Sequence, residues 1–388
     1  MKSKVCVYTC ITGGYDSLRE IEIRADNVDF ICFTNDKNLK SKTWKVVHVE
    51  NGGLTNHQLS RKLKMVGHPL IDKKYEISIW MDASVLWLQN PSDFAAKYLK
   101  KGVFACFKHW ARDNVQDEAK ACLSLHKDSK ASLLDGLNFL KKEGFPDNLG
   151  LTEMTVFIKR HNDRKVREAM ALWYDTYKNH SKRDQLSFMY AVWKTGLKIE
   201  LIEEYSVWQN PYFNWKTHTM KQDVGCGFVY FGKDPIYPDF SNFFEFDYTN
   251  KDNKFNGIFN IPRDCDGFWL CLTDAAGIKI TDLVLSKGSI EKLTGGLLWN
   301  DVYIPNVGRN YQWVSGQFRA GDKVQVGFVT DLNVAGAFFE AFNSMTKRLE
   351  DSQSEKRRLM EVNFGLENEL AAIKSSRAWK LVTKLRRK

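Results

Sequence analysis

No stretch of the sequence approaches the roughly 18 consecutive apolar residues that a membrane-spanning helix needs. The apolar run that follows the basic start "MKSK" is interrupted at Thr9 and stopped at Gly13 and Gly14, too early for a secretory signal. Paired cysteine spacing is also missing. The eight cysteines (6, 10, 32, 106, 122, 226, 265 and 271) sit in apolar stretches such as "VCVYTC" and "FICFT" rather than in the short pairs of a zinc site. They read as buried free thiols, and the expected location is a reducing cytoplasm. Acidic residues are missing from one place: the last fifteen positions hold Lys374, Arg377, Lys380, Lys384, Arg386, Arg387 and Lys388 with no acid. Much of the net charge of +10 is therefore concentrated at one end. A nucleic-acid binder carries its charge on the folded domain, often interleaved with aromatics, so no nucleic-acid partner is expected.

What is present is the composition of a folded protein, 43% hydrophobic and 27% charged. The 12 tryptophans suit sugar rings or bases as well as cores. At 388 residues, two or three compact units are expected. The β-branched and aromatic runs "KVCVYTCITGGYD", "VDFICFTND", "TWKVVHVE" and "YEISIWMDASVLWL" predict buried strands, with "LSRKLKMVGHPLI" a helix between the last two. Further helices are predicted for "PSDFAAKYLKKG", "DNVQDEAKACLSL", "RKVREAMALWYDTYKNH" and "SKRDQLSFMYAVWKTG", and a strand for "EMTVFIKRH". This pattern predicts an α/β domain over residues 1–232 with a mostly parallel sheet, where ligands gather at the carboxyl ends of the strands. Gly-punctuated short strands predict a β-rich module over 233–332. A proline-free segment, 333–388, places Leu359, Val362, Leu366, Leu370 and Ile373 at three- and four-residue steps, a helical seam for the protein's own body or for self-association through 349–373.

Asp82 is the residue hardest to explain by packing. It stands between "ISIW" and "SVLWL", and an isolated buried carboxylate is costly unless it is paired or bound to a cation. At the end of a strand it can hold a divalent cation that bridges the phosphates of a nucleotide sugar. A carboxylate capping the next turn gives the same letters.

The stretch "YEISIWMDASVLWLQNPSDF" resembles the strand and metal-binding turn of GT-A glycosyltransferases, whose usual pattern is Asp-x-Asp. Asp82 matches the first acid, and Ser84 stands in place of the second. The chain is more closely similar to the glycosyltransferase-like family of TOD/MUCI type, which includes plant pollen and mucilage proteins and many bacterial polysaccharide-cluster proteins. The blocks "VYTCITGGYDSL", "FICFTND", "SRKLKM", "SIWMDASV", "KHWARDNVQDEA", "LTEMTVFIKRH" and "RDQLSF" occur in order over about residues 5–190. In that family the aspartate turn also commonly lacks the full acid pair.

The resemblance implies a GT-A-like sheet flanked by helices. It also implies transfer of a sugar from a nucleoside-diphosphate donor to a hydroxyl of a glycan or lipid-linked glycan, with Mn²⁺ or Mg²⁺ on Asp82 and Ser84. Thr9, Gly13, Gly14, Tyr15 and Asp16 would form the nucleotide edge, the glycines allowing close backbone approach and Tyr15 stacking on the base. Gly-Gly-Tyr-Asp is also an ordinary turn. Arg61 and Lys64 share a helix face, which suits a diphosphate clamp or merely a solvated basic face. His109 and Arg112 follow the strand "GVFACF", where they can contact phosphate or acceptor, although a lone His is often structural. Asp184, with its neighbour Gln185, lies at a helix start. It is either a dipole partner or the base that takes the acceptor's proton. Glu153 competes with Asp184 and His109 for the catalytic role. A non-catalytic glycan- or nucleotide-binding relative is the alternative function. The tail "AAIKSSRAWKLVTKLRRK" is similar to the C-termini of bacterial transferases that build lipopolysaccharide O-chains or capsules. Its Trp379, Leu381 and Leu385 among cations suit residues 374–388 to the inner face of the cytoplasmic membrane, with docking on a partner protein or plain disorder as the alternatives.

Overall fold

A computed structural model describes residues 5–331 apart from 26, 208, 216–223, 236, 274–277, 294–296, 300, 301 and 305–309. The 333–388 segment, with its seam at 349–373 and its basic tail at 374–388, lies outside the described residues.

The first part of the chain runs β1 (Val5–Ile11), β2 (Val28–Thr34), β3 (Lys45–His48), α1 (Asn56–Met65), α2 (Pro69–Lys74), β4 (Ile77–Met81) and β5 (Val85–Trp87). It continues with α3 (Pro91–Tyr98), β6 (Phe104–Lys108), α4 (Val115–Ser124), α5 (Lys130–Lys142), β7 (Thr152–Lys159), α6 (Arg164–Asn179), α7 (Asp184–Thr195), β8 (Glu200–Ile202) and β9 (Phe213–Trp215). Seven of these strands form one sheet in the order β3-β2-β1-β4-β7-β6-β8. The pairings β1–β2, β2–β3, β1–β4 and β6–β8 are parallel, and β7 alone runs against its neighbours β4 and β6. The expected mostly parallel α/β sheet is what the chain forms.

Both faces of this sheet are covered, which is why its strands read as continuous apolar runs rather than alternating ones. In β1, Cys6, Tyr8 and Cys10 pack with Leu59 and Leu63 of α1, Trp173 of α6 and Phe188 of α7. Val5, Val7 and Ile11 point the other way, into a second cluster with Phe94 of α3, Trp87 and Phe213. Each such burial is worth about 1.5–3 kcal/mol.

The single helix expected over "LSRKLKMVGHPLI" is two helices. Helix α1 ends at Met65, Gly67 takes φ +89°, and Pro69 starts α2 with His68 as its cap, Nδ1 accepting from the Leu70 N–H at 3.1 Å. Proline has no N–H and cannot continue a helix, but it suits a first turn, so the break falls here. Helix α5 has no counterpart among the sequence expectations.

The β-rich region begins at Gly227, earlier than the expected boundary at 233, because β10 (Gly227–Tyr230) already belongs to its sheet. There follow β11 (Phe243–Phe246), β12 (Tyr248–Lys251), β13 (Lys254–Asn260), β14 (Cys265–Cys271), β15 (Lys279–Leu285) and β16 (Ser289–Leu293). The last four are β17 (Leu297–Trp299), β18 (Val302–Ile304), β19 (Tyr311–Phe318) and β20 (Lys323–Asp331). They make a five-stranded sheet, β11-β10-β14-β19-β16, and a six-stranded sheet, β12-β13-β20-β15-β18-β17. Phe268, Leu270 and Val314 of the first sheet meet Phe255, Phe259, Val324 and Phe328 of the second in one core.

The opposite face of the five-stranded sheet packs on the α/β domain. Phe228, Tyr230, Phe243, Trp269 and Tyr311 are buried against Ala119, Cys122 and Leu123 of α4, Leu133 and Leu137 of α5, and Leu186 and Tyr190 of α7. The Tyr311 hydroxyl donates to the Ser124 carbonyl at 3.1 Å, and the His126 ring stacks on Phe228 at 3.6 Å. The molecule is thus layered: sheet with helices, five-stranded sheet, six-stranded sheet.

Candidate active site

Asp82 follows the last residue of β4. Its N–H donates to the Thr155 carbonyl of β7 at 2.9 Å, and its carbonyl accepts from the Val85 N–H at 3.0 Å, so it begins a tight turn into β5. The side chain is 29% exposed. Its Oδ1 accepts from Trp80 Nε1 at 2.8 Å and from Lys64 Nζ at 3.4 Å. Ser84 in the same turn is buried, and its hydroxyl has no partner among the described residues.

Lys64 joins Asp82 to Asp184. The ammonium lies 2.7 Å from Asp184 Oδ2, and Arg61 Nη1 reaches the same oxygen at 3.0 Å. The i, i+3 spacing puts both cations on one face of α1, as expected, but that face is turned inward. Burial raises the Asp184 carboxyl most strongly among single influences; Arg61, Lys64 and Arg183 together outweigh it and hold the group well below its ordinary value. A carboxylate held so firmly ionised by two cations is a poor acceptor for a substrate proton. The neighbouring Gln185 donates from Nε2 to the Thr152 carbonyl at 3.3 Å, tying α7 to the start of β7.

On the other side of β1 lies the glycine turn. Gly13 and Gly14 take φ +63° and +68°, and Tyr15 projects with 71% of its surface exposed while Asp16 is half-buried. A Cβ on Gly13 would stand 2.2 Å from Asn56 Nδ2. The close neighbour belongs to a knot of side-chain amides: Asn35 donates to Asn51 at 2.7 Å and to Asn56 at 2.8 Å, and accepts from the Gly13 N–H at 3.0 Å. Thr12 closes the turn by donating to the Asn56 carbonyl at 2.8 Å. Thr9, three residues earlier in β1, is fully buried with its hydroxyl unpartnered among the described residues.

Glu153 in β7 is two residues from Thr155, the partner of Asp82, so both carboxylates stand at the same end of the sheet. Burial pushes its carboxyl up to about 7, against the opposing effect of hydrogen bonds from the Trp110 and Val207 N–H groups. Its Oε2 has no partner among the described residues. Trp110 and the segment on either side of Val207 are the two walls of an open cleft of about 650 Å³, lined by Trp110, Glu203, Glu204, Tyr205, Ser206, Gln209, Asn210 and Pro211. Trp110 is 66% exposed. Asn210 fixes the far wall, its Oδ1 accepting from the Tyr212 and Phe213 N–H groups at 2.9 and 3.1 Å.

His109 does not face this cleft as a free imidazole. Nδ1 accepts from the Ala111 and Arg112 N–H groups, both at 3.1 Å, and Nε2 lies 3.0 Å from Arg112 Nη2. Burial, then the Arg112 charge, push it down to about 4, so it is neutral near pH 7. Arg112 in turn donates from Nε to buried Glu118 at 2.6 Å. These residues hold the turn that presents Trp110.

The structure therefore gathers Asp82, Ser84, Arg61, Lys64, Asp184 and Glu153 at one end of the sheet, with the glycine turn on one flank and the cleft on the other. Sequence reasoning missed Asn35, Asn51 and Asn56, Trp110, and the wall formed by 203–206 and 209–211. Trp110 carried a signal, an aromatic in a polar stretch after a strand; the three asparagines carried none, since each looks like ordinary loop chemistry until folding brings them together. Among the described residues no group of three or more His, Cys, Asp or Glu side chains is placed to hold a metal ion.

A curated relative, the probable hexosyltransferase MUCI70 of Arabidopsis thaliana, is 26% identical over 164 residues, covering 39% of this chain and 28% of its own length. The chain thus spans little more than a quarter of that relative. Among solved structures, the apo WbbM bifunctional glycosyltransferase aligns with 52% of this chain and 39% of its own, at 11% identity and a TM-score of 0.34. Apo mouse xyloside xylosyltransferase 1 aligns with 51% of this chain and 84% of its own, at 10% identity and a TM-score of 0.30. The sequence pattern of the TOD1/MUCI70, glycosyltransferase-like domain matches residues 1–208 of the 388, and the chain belongs to that family.

Proposed function

We propose that the chain is a glycosyltransferase that moves a sugar from a nucleoside-diphosphate donor to a hydroxyl of a glycan acceptor, with Glu153 as the base. The observation that carries this reading is the placement of Glu153: a buried carboxyl near 7, hydrogen-bonded by backbone N–H groups from both walls of an open cleft, at the same sheet end as half-open Asp82. A base is most effective when its pKa lies near the working pH, which favours Glu153 over the firmly ionised Asp184. The acceptor lies against Trp110 and Tyr205, whose exposed rings suit sugar faces. The donor lies on the opposite flank, its nucleoside against Tyr15 and the glycine turn and its diphosphate towards Arg61.

In the reaction the acceptor oxygen attacks the anomeric carbon, Glu153 takes the hydroxyl proton, and the nucleoside diphosphate leaves with the electrons of the broken bond. The charge that develops on the diphosphate is what the site must meet. Arg61, its side chain 18% exposed, carries guanidinium donors beyond the Nη1 that meets Asp184. Lys64, 2% exposed, instead fixes Asp82 and Asp184 from behind. Asp82 and the Ser84 hydroxyl are the residues that would hold a divalent cation, Mn²⁺ or Mg²⁺, in keeping with the one or two carboxylates that Mg²⁺ commonly takes from a protein. Such a cation would supply charge neutralisation at the leaving group. Synthesis of bacterial surface polysaccharide at the inner face of the cytoplasmic membrane is the setting supported by the basic, tryptophan-containing sequence at 374–388.

The test is a panel of nucleotide sugars with and without Mn²⁺ or Mg²⁺, followed by diphosphate release. Saturable donor binding without release, with or without glycan acceptors, would favour the non-catalytic relative, the reading that Ser84 in place of a second acid keeps alive.

A further inference from the structure

The six-stranded sheet has one face in the core of the β-rich region and the other open to solvent. Along β13 the pattern is strict: Phe255, Gly257 and Phe259 are buried, while Lys254, Asn256, Ile258 and Asn260 are exposed. On this outer face a groove of about 540 Å³ runs over β13, β20 and β15 and the start of β12. Two features make it a built depression rather than a flat sheet. In the β15–β20 pairing the register shifts between Thr281 and Val284, with Asp282 at φ +52°, and such a bulge bends the strand and re-aims its side chains. On the facing strand, Gly327 occupies ordinary extended backbone, so conformation does not require a glycine there. A Cβ at that position would stand 3.2 Å from Asn256 Oδ1, on the groove floor.

The lining decides the ligand. None of the ten lining residues is a cation, and Asp247 is an acid, so phosphates, nucleotides, nucleic acid and anionic lipid are disfavoured. A single carboxylate is too few for a protein-held metal. The β13–β20 ladder is continuous from Lys254 to Asn260, so the floor offers no strand edge for a peptide to extend. What remains is hydroxyl and amide chemistry. The Thr249 hydroxyl donates to the Asn256 carbonyl at 3.2 Å, and the Ser286 hydroxyl accepts from the Gln325 N–H at 2.9 Å, so both hydroxyls are held in place. The Asn256 and Gln325 amides stand between them on the open face, flanked by the exposed apolar steps Ile258 and Val284. Fixed hydroxyls and amides beside small apolar patches match the alternating hydroxyls and C–H faces of a sugar chain.

We propose that the outer face of the six-stranded sheet is a binding site for a neutral oligosaccharide, separate from the transfer site and active without donor. The test is biolayer interferometry of the full chain on immobilised dextran, galactomannan and xylan, with heparin as the anionic control. At least one neutral polymer is expected to bind saturably, and Gly327→Val, which fills the floor, and Gln325→Ala, which removes an exposed amide, are each expected to weaken it at least fivefold. Both variants should keep the wild-type melting temperature. Binding to heparin alone, or unchanged binding in the two groove variants with any neutral polymer, would overturn the proposal. Because no donor is present, the outcome is independent of whether sugar transfer occurs.

Discussion

Glu153 and Asp184 are both buried carboxylates at the start of a regular element, and their surroundings push them in opposite directions. Glu153 is raised by burial to about 7, whereas Asp184 is lowered by Arg61, Lys64 and Arg183 despite burial. Glu153→Gln is expected to lower kcat by about 10²–10⁴, the usual contribution of a positioned base. In the wild type kcat/KM should rise with pH and level off above about 7, because the base must be ionised; a flat profile from pH 5 to 8 would remove it from the role. Stability carries the same signs by linkage. The raised Glu153 favours the fold most below its ordinary 4.5, and this is lost as pH rises through about 7. The lowered Asp184 favours the fold above its ordinary 3.8, and this is lost as pH falls. Asp184→Asn leaves buried Lys64 facing one weak partner, and breaking such a buried cluster should cost about 3–5 kcal/mol in urea unfolding. A loss below 1 kcal/mol would show that the cluster is not structural.

Among the elements, those legible in the sequence are those whose burial is two-sided or whose apolar face is continuous. Strands β1, β2 and β4 are apolar runs ended by Gly13, Asn35 and Asp82, and helix α6 separates its faces cleanly. The α1–α2 break was not read, although Gly67 and Pro69 stand in the sequence, because the apolar spacing carries on through them to Leu70 and Ile71. Placing an alanine at Gly67, φ +89°, should cost about 1–2 kcal/mol and lower the melting temperature. The site was legible as a set of residues but not as a division of labour. Asp82, Arg61 and Lys64 were expected near a diphosphate, yet whether a cation faces the donor or a buried acid depends on Asp184, 120 residues from Lys64 along the chain. The same holds for Gly13: its glycine is readable, but the crowding by Asn56 that demands it comes from another element.

Across the whole molecule, the β-rich region is fixed to the α/β domain through a buried apolar contact. Phe228 belongs to this contact, 5% exposed and stacked on His126. Phe228→Ala should cost about 3–5 kcal/mol, and the wild type should unfold by calorimetry in one transition in which both regions take part. Two separate transitions, with only the later one shifted by the variant, would contradict that coupling. The layered arrangement also leaves Asp82 half-open at the end of the α/β sheet, which gives the decisive assay. Nucleoside diphosphate release from a donor panel should be measured for the wild type and for Asp82→Asn, with folding checked by circular dichroism. Release by the wild type, reduced to background in the folded variant, is predicted; equal release by the two proteins would contradict the assignment of the transfer site to this end of the sheet.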